Sequence, residues 1–192
     1  MDLATMRGRV REDLQDEDDA NYRWTNDQVD GAIERVVREF SIVAPIQQQD
    51  DIATVASSRD IDISSLSGLI RVESVEFPIG QKPSYYQKFR IWQDTIQMDD
   101  EGDGSDARVR WYKEHTLAES STIPTQFEEI IVLGATGYLA TSASVYTVDK
   151  ATIAGKWATI NFLEWGQKRL EYYERKLKAL KSRVISKELY SD

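Results

Sequence analysis

Cysteine is absent from the 192 residues, which excludes a disulfide framework, a thiolate nucleophile and any cysteine-based metal site. Histidine occurs once, at His115, so nearly every zinc arrangement and any chemistry needing two imidazoles is excluded as well. No apolar run approaches the ~18 residues of a membrane span, and the opening residues carry acids and arginines in place of a signal peptide's apolar stretch. The expectation is a chain with no membrane partner that stays in the cytoplasm where it is made. Positive charge is also short, with 24 Lys and Arg against 33 Asp and Glu and a net charge of −9. A sequence-independent nucleic-acid binder needs the opposite field, because its affinity comes from neutralising phosphates.

What is present has the make-up of a globular protein, 41% hydrophobic and 30% charged, sized for one domain or two small ones. Leu3, Met6, Val10 and Leu14 recur at helical spacing and predict a helix over residues 3–14, with Arg7, Arg9 and Arg11 on its other faces. An acidic, structureless run, Asp16, Glu17, Asp18 and Asp19, leads to Asn21-Tyr22-Arg23-Trp24. Thr25 with Gln28 then has the pattern of a capping box, and Val29, Ile33, Val36, Val37 and Phe40 continue at helical spacing. Pro45 should stop this second helix near Ala44, because proline disfavours helical geometry in the residue before it. The two helices and their tryptophan-bearing loop predict a hairpin.

Between residues 52 and 117 the period becomes alternating. Segments 52–55, 59–63, 69–77, 85–92, 95–98 and 108–112 read as strands separated by Ser, Gly, Pro and Asp turns. They predict one compact antiparallel sheet folded on itself. Pro124 then opens a third helix whose face holds Phe127, Ile130, Ile131, Gly134, Tyr138 and Leu139, and a fourth spans residues 159–184. In that last helix Leu163, Leu170, Leu177 and Val184 step by seven, with Gly166, Tyr173 and Leu180 between them, so it should lie against a partner helix. The predicted class is α+β: an N-terminal helical hairpin (1–47), an inserted antiparallel β-domain of about six strands (48–121), a C-terminal helical pair completing a bundle (122–184) and a tail (185–192).

Charge is segregated. Residues 168–188 hold eight basic and three acidic side chains, a net +5, which leaves −14 for the rest. The split points to an acidic contact at the C-terminal end, the alternative being a solvated helix face.

Two motifs imitate binding sites. The run Ile130-Ile131-Val132-Leu133-Gly134-Ala135-Thr136-Gly137 looks like the nucleotide-binding turn of short-chain dehydrogenases, and Tyr146 with Lys150 has that family's catalytic spacing. Such a turn must follow a strand, whereas Pro124, Gln126, Glu128 and Glu129 supply a helix start, and too few residues separate the two motifs. The competing reading is that Gly134 and Gly137 admit another helix closely. Asp99, Glu101, Asp103 and Gly104 match part of a calcium loop, but its bidentate position is Arg110, so an acidic hairpin tip is expected instead. No catalytic residue, cofactor or metal ligand is therefore assigned. His115 reads as a structural or interface residue. Tyr85, Tyr86, Phe89, Trp92, Trp111 and Tyr112 exceed what one buried sheet face can hold, so some should meet a partner.

The order of parts resembles the head-tail connector, or adaptor, proteins of tailed bacteriophages. The likeness rests on Val10-Arg11-Glu12-Asp13-Leu14-Gln15-Asp16, on Tyr22-Arg23-Trp24-Thr25-Asn26-Asp27-Gln28-Val29, on Trp111-Tyr112-Lys113-Glu114-His115-Thr116-Leu117, and on Thr122-Ile123-Pro124 leading into Gly134-Ala135-Thr136-Gly137-Tyr138. It implies a structural, non-enzymatic virion protein, assembled in the host cytoplasm and placed in the neck of the particle. Its copies would form a ring, commonly twelve-fold, beneath the portal protein after DNA packaging. Its partners would be the portal, neighbouring copies, a stopper or tail-completion protein, and genomic DNA that passes without specific binding.

On that expectation the portal contact comprises Arg175, Lys178, Lys181, Arg183, Lys187, Leu189 and Tyr190. The subunit interface comprises Gly134, Gly137, Tyr138, Tyr86, Trp92 and Trp111. The channel wall or next-ring contact comprises Asp16, Glu17, Asp18, Asp19, Asp99, Asp100, Glu101 and Asp103. Smaller members of the family are essentially helical bundles, so the inserted sheet departs from them. The alternatives are a stopper or tail-completion protein of the same neck, an NAD(P)-dependent oxidoreductase, and a cytosolic module pairing its last helix with a partner coiled coil.

Overall fold

The computed structural model describes residues 1–117, 121–147 and 156–188, with backbone alone for 143–147, 156–161 and 182–188. The class is α+β, and the chain divides into two compact units: Met1–Ala44 with His115–Asp192, and Pro45–Glu114.

In the first unit α1 (Leu3–Leu14) starts where the Asp2 side chain accepts the Thr5 N–H at 2.8 Å, and ends at Gln15 with φ +53°. Helix α2 (Asn26–Val43) opens on the capping box, Thr25 N–H donating to Gln28 and Gln28 N–H to Thr25. Its last turn closes with Ala44 N–H donating to Phe40 O, and Pro45 follows. A short 3₁₀ turn, Thr125–Phe127, precedes α3 (Glu128–Thr147). Helix α4 runs Lys156–Glu188, 33 residues or about 50 Å.

The core of this unit joins Met6, Val10 and Leu14 to Val29, Ile33, Val36 and Phe40, and these to Ile131, Ala135, Leu139 and Tyr173. The helical period of the sequence is thus the burial pattern of the fold. Trp24, in the α1–α2 loop, is buried with them. His115 is buried too: its Nε2 lies 2.9 Å from Ala44 O, its Nδ1 3.0 Å from Thr122 O, and its backbone N–H donates to Ser41 Oγ.

The second unit holds β1 (Ile46–Ala53), β2 (Asp60–Asp62), β3 (Leu69–Glu76), β4 (Phe89–Trp92), β5 (Thr95–Met98) and β6 (Asp106–Lys113). They form two antiparallel sheets in the orders β1-β6-β3 and β2-β5-β4, in place of the expected single sheet. The break has a local cause. Irregular register between Leu69 and Arg71 and between Val72 and Ser74 distorts β3, and the β3–β4 connection contains Pro78 and Pro83, which lack ladder donors. Only a short seam crosses, with Gln87 N–H donating to Val75 O and Phe77 N–H to Tyr85 O. Ile61, Ile96, Met98, Val75, Val109 and Trp111 fill the space between the sheets. Strand β1 begins at Ile46, earlier than alternation indicates, because Gln47, Gln48, Gln49, Asp50 and Asp51 lie on an exposed edge where no face demands apolar residues.

Candidate functional site

The α3–α4 seam decides what the small residues do. A Cβ on Gly166 would meet Ala140 at 2.9 Å, one on Gly137 would meet Leu170 at 2.9 Å, and one on Gly134 would meet Val36 at 2.9 Å and Tyr173 at 3.0 Å. Gly134 and Gly137 are therefore closed within the chain, which corrects their assignment to a subunit interface. Each step toward the C-terminal end of α4 matches a step toward the N-terminal end of α3, so the pair is antiparallel. Continuing that register sets Glu128 opposite Ala179, and the backbone of residues 181–188 runs about 12 Å beyond the first residue of α3. The helix also outruns its expected end at residue 184, which shortens the expected tail.

Tyr138 is likewise engaged inside the unit. Its hydroxyl donates to Glu39 at 2.9 Å, the Tyr173 hydroxyl donates to the same carboxylate at 3.1 Å, and Arg35 both pairs with Glu39 and lies 3.8 Å over the Tyr138 ring. Burial, reinforced by the Glu39 charge, pushes both phenols above their ordinary range. Arg169 ties three helices together: its Nε donates to Thr136 Oγ1 at 2.9 Å, it pairs with Asp13, and it stacks on Trp165. Beside it α1, α3 and α4 flank an open groove of about 840 Å³ lined by Arg9, Asp13, Phe127, Leu133, Tyr172 and Lys176, among others.

The acidic run after α1 contains one residue of a different kind. The left-handed turn at Gln15 brings Asp16 under Arg11 at 2.6 Å, where it also accepts the Arg23 N–H at 2.7 Å. Arg11 donates in addition to Trp24 O and Asn26, and stacks on Tyr22. Asp16 is 8% exposed and Arg11 5%, so Asp16 is a buried clamp and not a channel or next-ring contact. The loop is also ordered by local bonds, Asp18 accepting the Ala20 N–H and the Asn21 side chain. A sequence signal for the clamp exists in retrospect: Arg11 lies between the buried positions Val10 and Leu14, with an acid five residues on. Glu17, Asp18 and Asp19 are exposed.

In the β unit, Trp111 is buried between the sheets and donates through Nε1 to Asp50 at 2.6 Å, so it too leaves the interface set. It lies on β6, the middle strand of its sheet, whose inner face is covered. Tyr112 is buried as well. Trp92 (78% exposed), Tyr86, Tyr85 and Ile91 remain at the surface around β4. Ile91 escaped notice in the sequence because it continues the inward row of Phe89; its exposure comes from the strand's place at the sheet edge. Asp99, Asp100, Glu101 and Asp103 form an exposed turn held by Gln87–Asp100 and Ser105–Asp103 bonds. Among the described residues no three acidic or imidazole side chains converge to hold a metal, and Arg110 points to Glu76 and Tyr86.

Of the expected portal contact, Arg175, Lys178 and Lys181 are exposed on α4, with Arg175 and Lys176 over the Tyr172 ring. The side chains of Arg183 and Lys187, and residues Leu189 and Tyr190, lie outside the described residues, as do Lys150 and the Tyr146 side chain. The glycine-rich run is the middle of α3, one continuous helix. No strand enters it, so the dehydrogenase-like turn does not form there. Among the described residues no helix is long and apolar enough to cross a membrane. No protein-family model matches the chain, and no curated protein shows significant similarity to it.

Proposed function

We propose that the chain is a structural virion protein of a tailed bacteriophage, an adaptor whose copies form a ring between the portal protein and the tail. The observation that carries this reading is the end of α4. Its backbone continues past the start of α3, while its outer face presents Arg175, Lys178 and Lys181 from a segment of net charge +5 on a chain of −9. A cationic helix end on an otherwise acidic body is suited to grip an acidic partner. The exposed acids, Glu17, Asp18 and Asp19 after α1 and Asp99, Asp100, Glu101 and Asp103 after β5, supply a surface that repels DNA. Such a surface suits a conduit through which a genome slides, or a contact with the next ring.

The resemblance in motif order supports this reading, and on it the ring would sit in the virion neck. The experiment is capture of the protein by purified portal rings. Removing residues 185–192 should abolish capture, and the triple substitution Arg175→Glu, Lys178→Glu, Lys181→Glu should weaken it with the helix still full length. Undiminished capture by both variants would sink the anchor, and no capture of the intact chain would sink the adaptor reading.

A further inference from the structure

Among the edge strands of the β unit, β4 and β1 each have an outer side with no strand bonded along it. Strand β4 pairs with β5 alone within its sheet, and β1 with β6 alone. Across the β4–β5 hairpin Trp92 lies opposite Thr95 and Arg90 opposite Gln97, and Lys88 O accepts the Asp99 N–H. Main-chain groups of residues 88, 90 and 92 thus face β5, and those of Phe89 and Ile91 point outward. The bond from Thr54 N–H to Ser105 O sets the same alternation in β1, leaving Gln47, Gln49, Asp51 and Ala53 outward. Among the described residues none of these six has a backbone partner on that side.

The two edges carry opposite charge. Lys88 and Arg90 are exposed on or beside β4, and Asp50 and Asp51 are exposed on β1, held in place by Trp111 and Arg108. Pairing β4 with another β4 would set cations against cations, and pairing β1 with another β1 would set carboxylates against carboxylates. Of these three pairings only the unlike one is attractive. The exposed side chains Ile91 and Trp92 add apolar area at the β4 edge, where strands otherwise need guarding.

We propose that the β4 edge of one copy adds to the β1 edge of the next, joining sheets across a subunit boundary with Ile91 and Trp92 against the neighbour. Because the two surfaces differ, the contact repeats head to tail, the arrangement a ring of the adaptor kind requires. The inference rests on the adaptor reading and supplies the subunit contact that reading requires.

Ile91→Pro and Gln49→Pro each delete one outward N–H while sparing every ladder bond. In sedimentation velocity on the full chain, the unmodified protein should associate with rising concentration. Either variant alone should associate about tenfold more weakly or worse. A mixture of the two should give a one-to-one pair and nothing larger, since each keeps the edge the other lacks. Circular dichroism checks folding; should a proline variant misfold, Lys88→Asp with Arg90→Asp must show the same loss of association.

Association at undiminished strength by either proline variant overturns the pairing, as does a chain that stays monomeric at hundreds of micromolar. Portal capture alongside either result leaves the adaptor reading standing and removes only this contact. Edge-dependent oligomers that portal rings never capture would keep the contact and remove the adaptor reading.

Discussion

In the helical unit the glycines and the tyrosine expected at an interface are taken up internally, whereas in the β unit the aromatics around β4 stay at the surface. Gly134, Gly137 and Gly166 admit neighbouring helices to within van der Waals contact, and Tyr138 and Tyr173 share one carboxylate. The β unit covers Trp111 and Tyr112 but leaves Tyr85, Tyr86, Ile91 and Trp92 exposed beside an unpaired edge. A residue type therefore says little about partnership until its layer is known. Small residues on a helix between two others serve the bundle, and aromatics on or beside an edge strand stay exposed.

The contrast can be broken most forcefully at the α1–α2 clamp. Asp16→Ala leaves the Arg11 charge buried without its partner and should cost about 3–5 kcal/mol in urea unfolding, while the exposed neighbour Asp18→Ala should cost far less. Next comes the helix seam. Gly166→Leu forces α3 from α4 against the Ala140 side chain and Thr141 backbone, and should cost about 3 kcal/mol by thermal or chemical denaturation.

The two units should also differ in how they respond to alkaline pH, since the raised phenols lie in the helical unit. The Arg108 bond holds Asp51 below the ordinary carboxylate range, the Ser64 N–H does so for Asp62, and the Ser105 hydroxyl and N–H do so for Asp103. Depressed carboxylates stabilise the fold above their unfolded value of about 3.9, and that contribution is lost as pH falls through the folded values. Tyr173 and Tyr138 are raised, so their contribution is complete below about 10 and lost as pH climbs through the folded values. Hydrogen exchange should show added acid-side loss in β1, β2 and the β5–β6 turn, at the Asp2 cap of α1 and around the Glu164–Lys168 pair of α4, and an alkaline-side loss in α2, α3 and α4.

Two smaller effects sharpen the comparison. A Cβ on Gly31, exposed in α2, meets nothing within 4 Å, so Gly31→Ala should stabilise by about 0.5–1 kcal/mol, the reverse of the seam glycines. Trp92→Ser should change the melting free energy of the monomer by no more than about 0.5 kcal/mol while weakening self-association.

Much of the fold was legible. The α1 stripe, the Thr25–Gln28 capping box, the stop before Pro45, the β5 segment and the Leu170–Tyr173–Leu177 seam are written in spacings of a few residues, and each stands as expected. The candidate surfaces were less legible. Glu17, Asp18, Asp19, Tyr86 and Trp92 are exposed, though Tyr86 accepts a bond from Arg110, whereas Asp16, Gly134, Gly137 and Trp111 are buried and Tyr138 is engaged inside its unit. Burial of that kind depends on which distant segment arrives, which local periodicity does not carry. The split into two sheets was missed for the same reason, because prolines in a connection reveal a break without revealing the partner of each strand.

By itself, then, the sequence determined the helices, their caps and the charge segregation, because periodicity and capping act over three or four residues and net charge needs no geometry. Tertiary structure decided the rest. Arg169 meets Thr136 across 33 positions and Tyr173 meets Glu39 across 134, and only folding brings such pairs together. That long-range closure is also what leaves β1 and β4 as edges, a property that no stretch of the chain encodes alone.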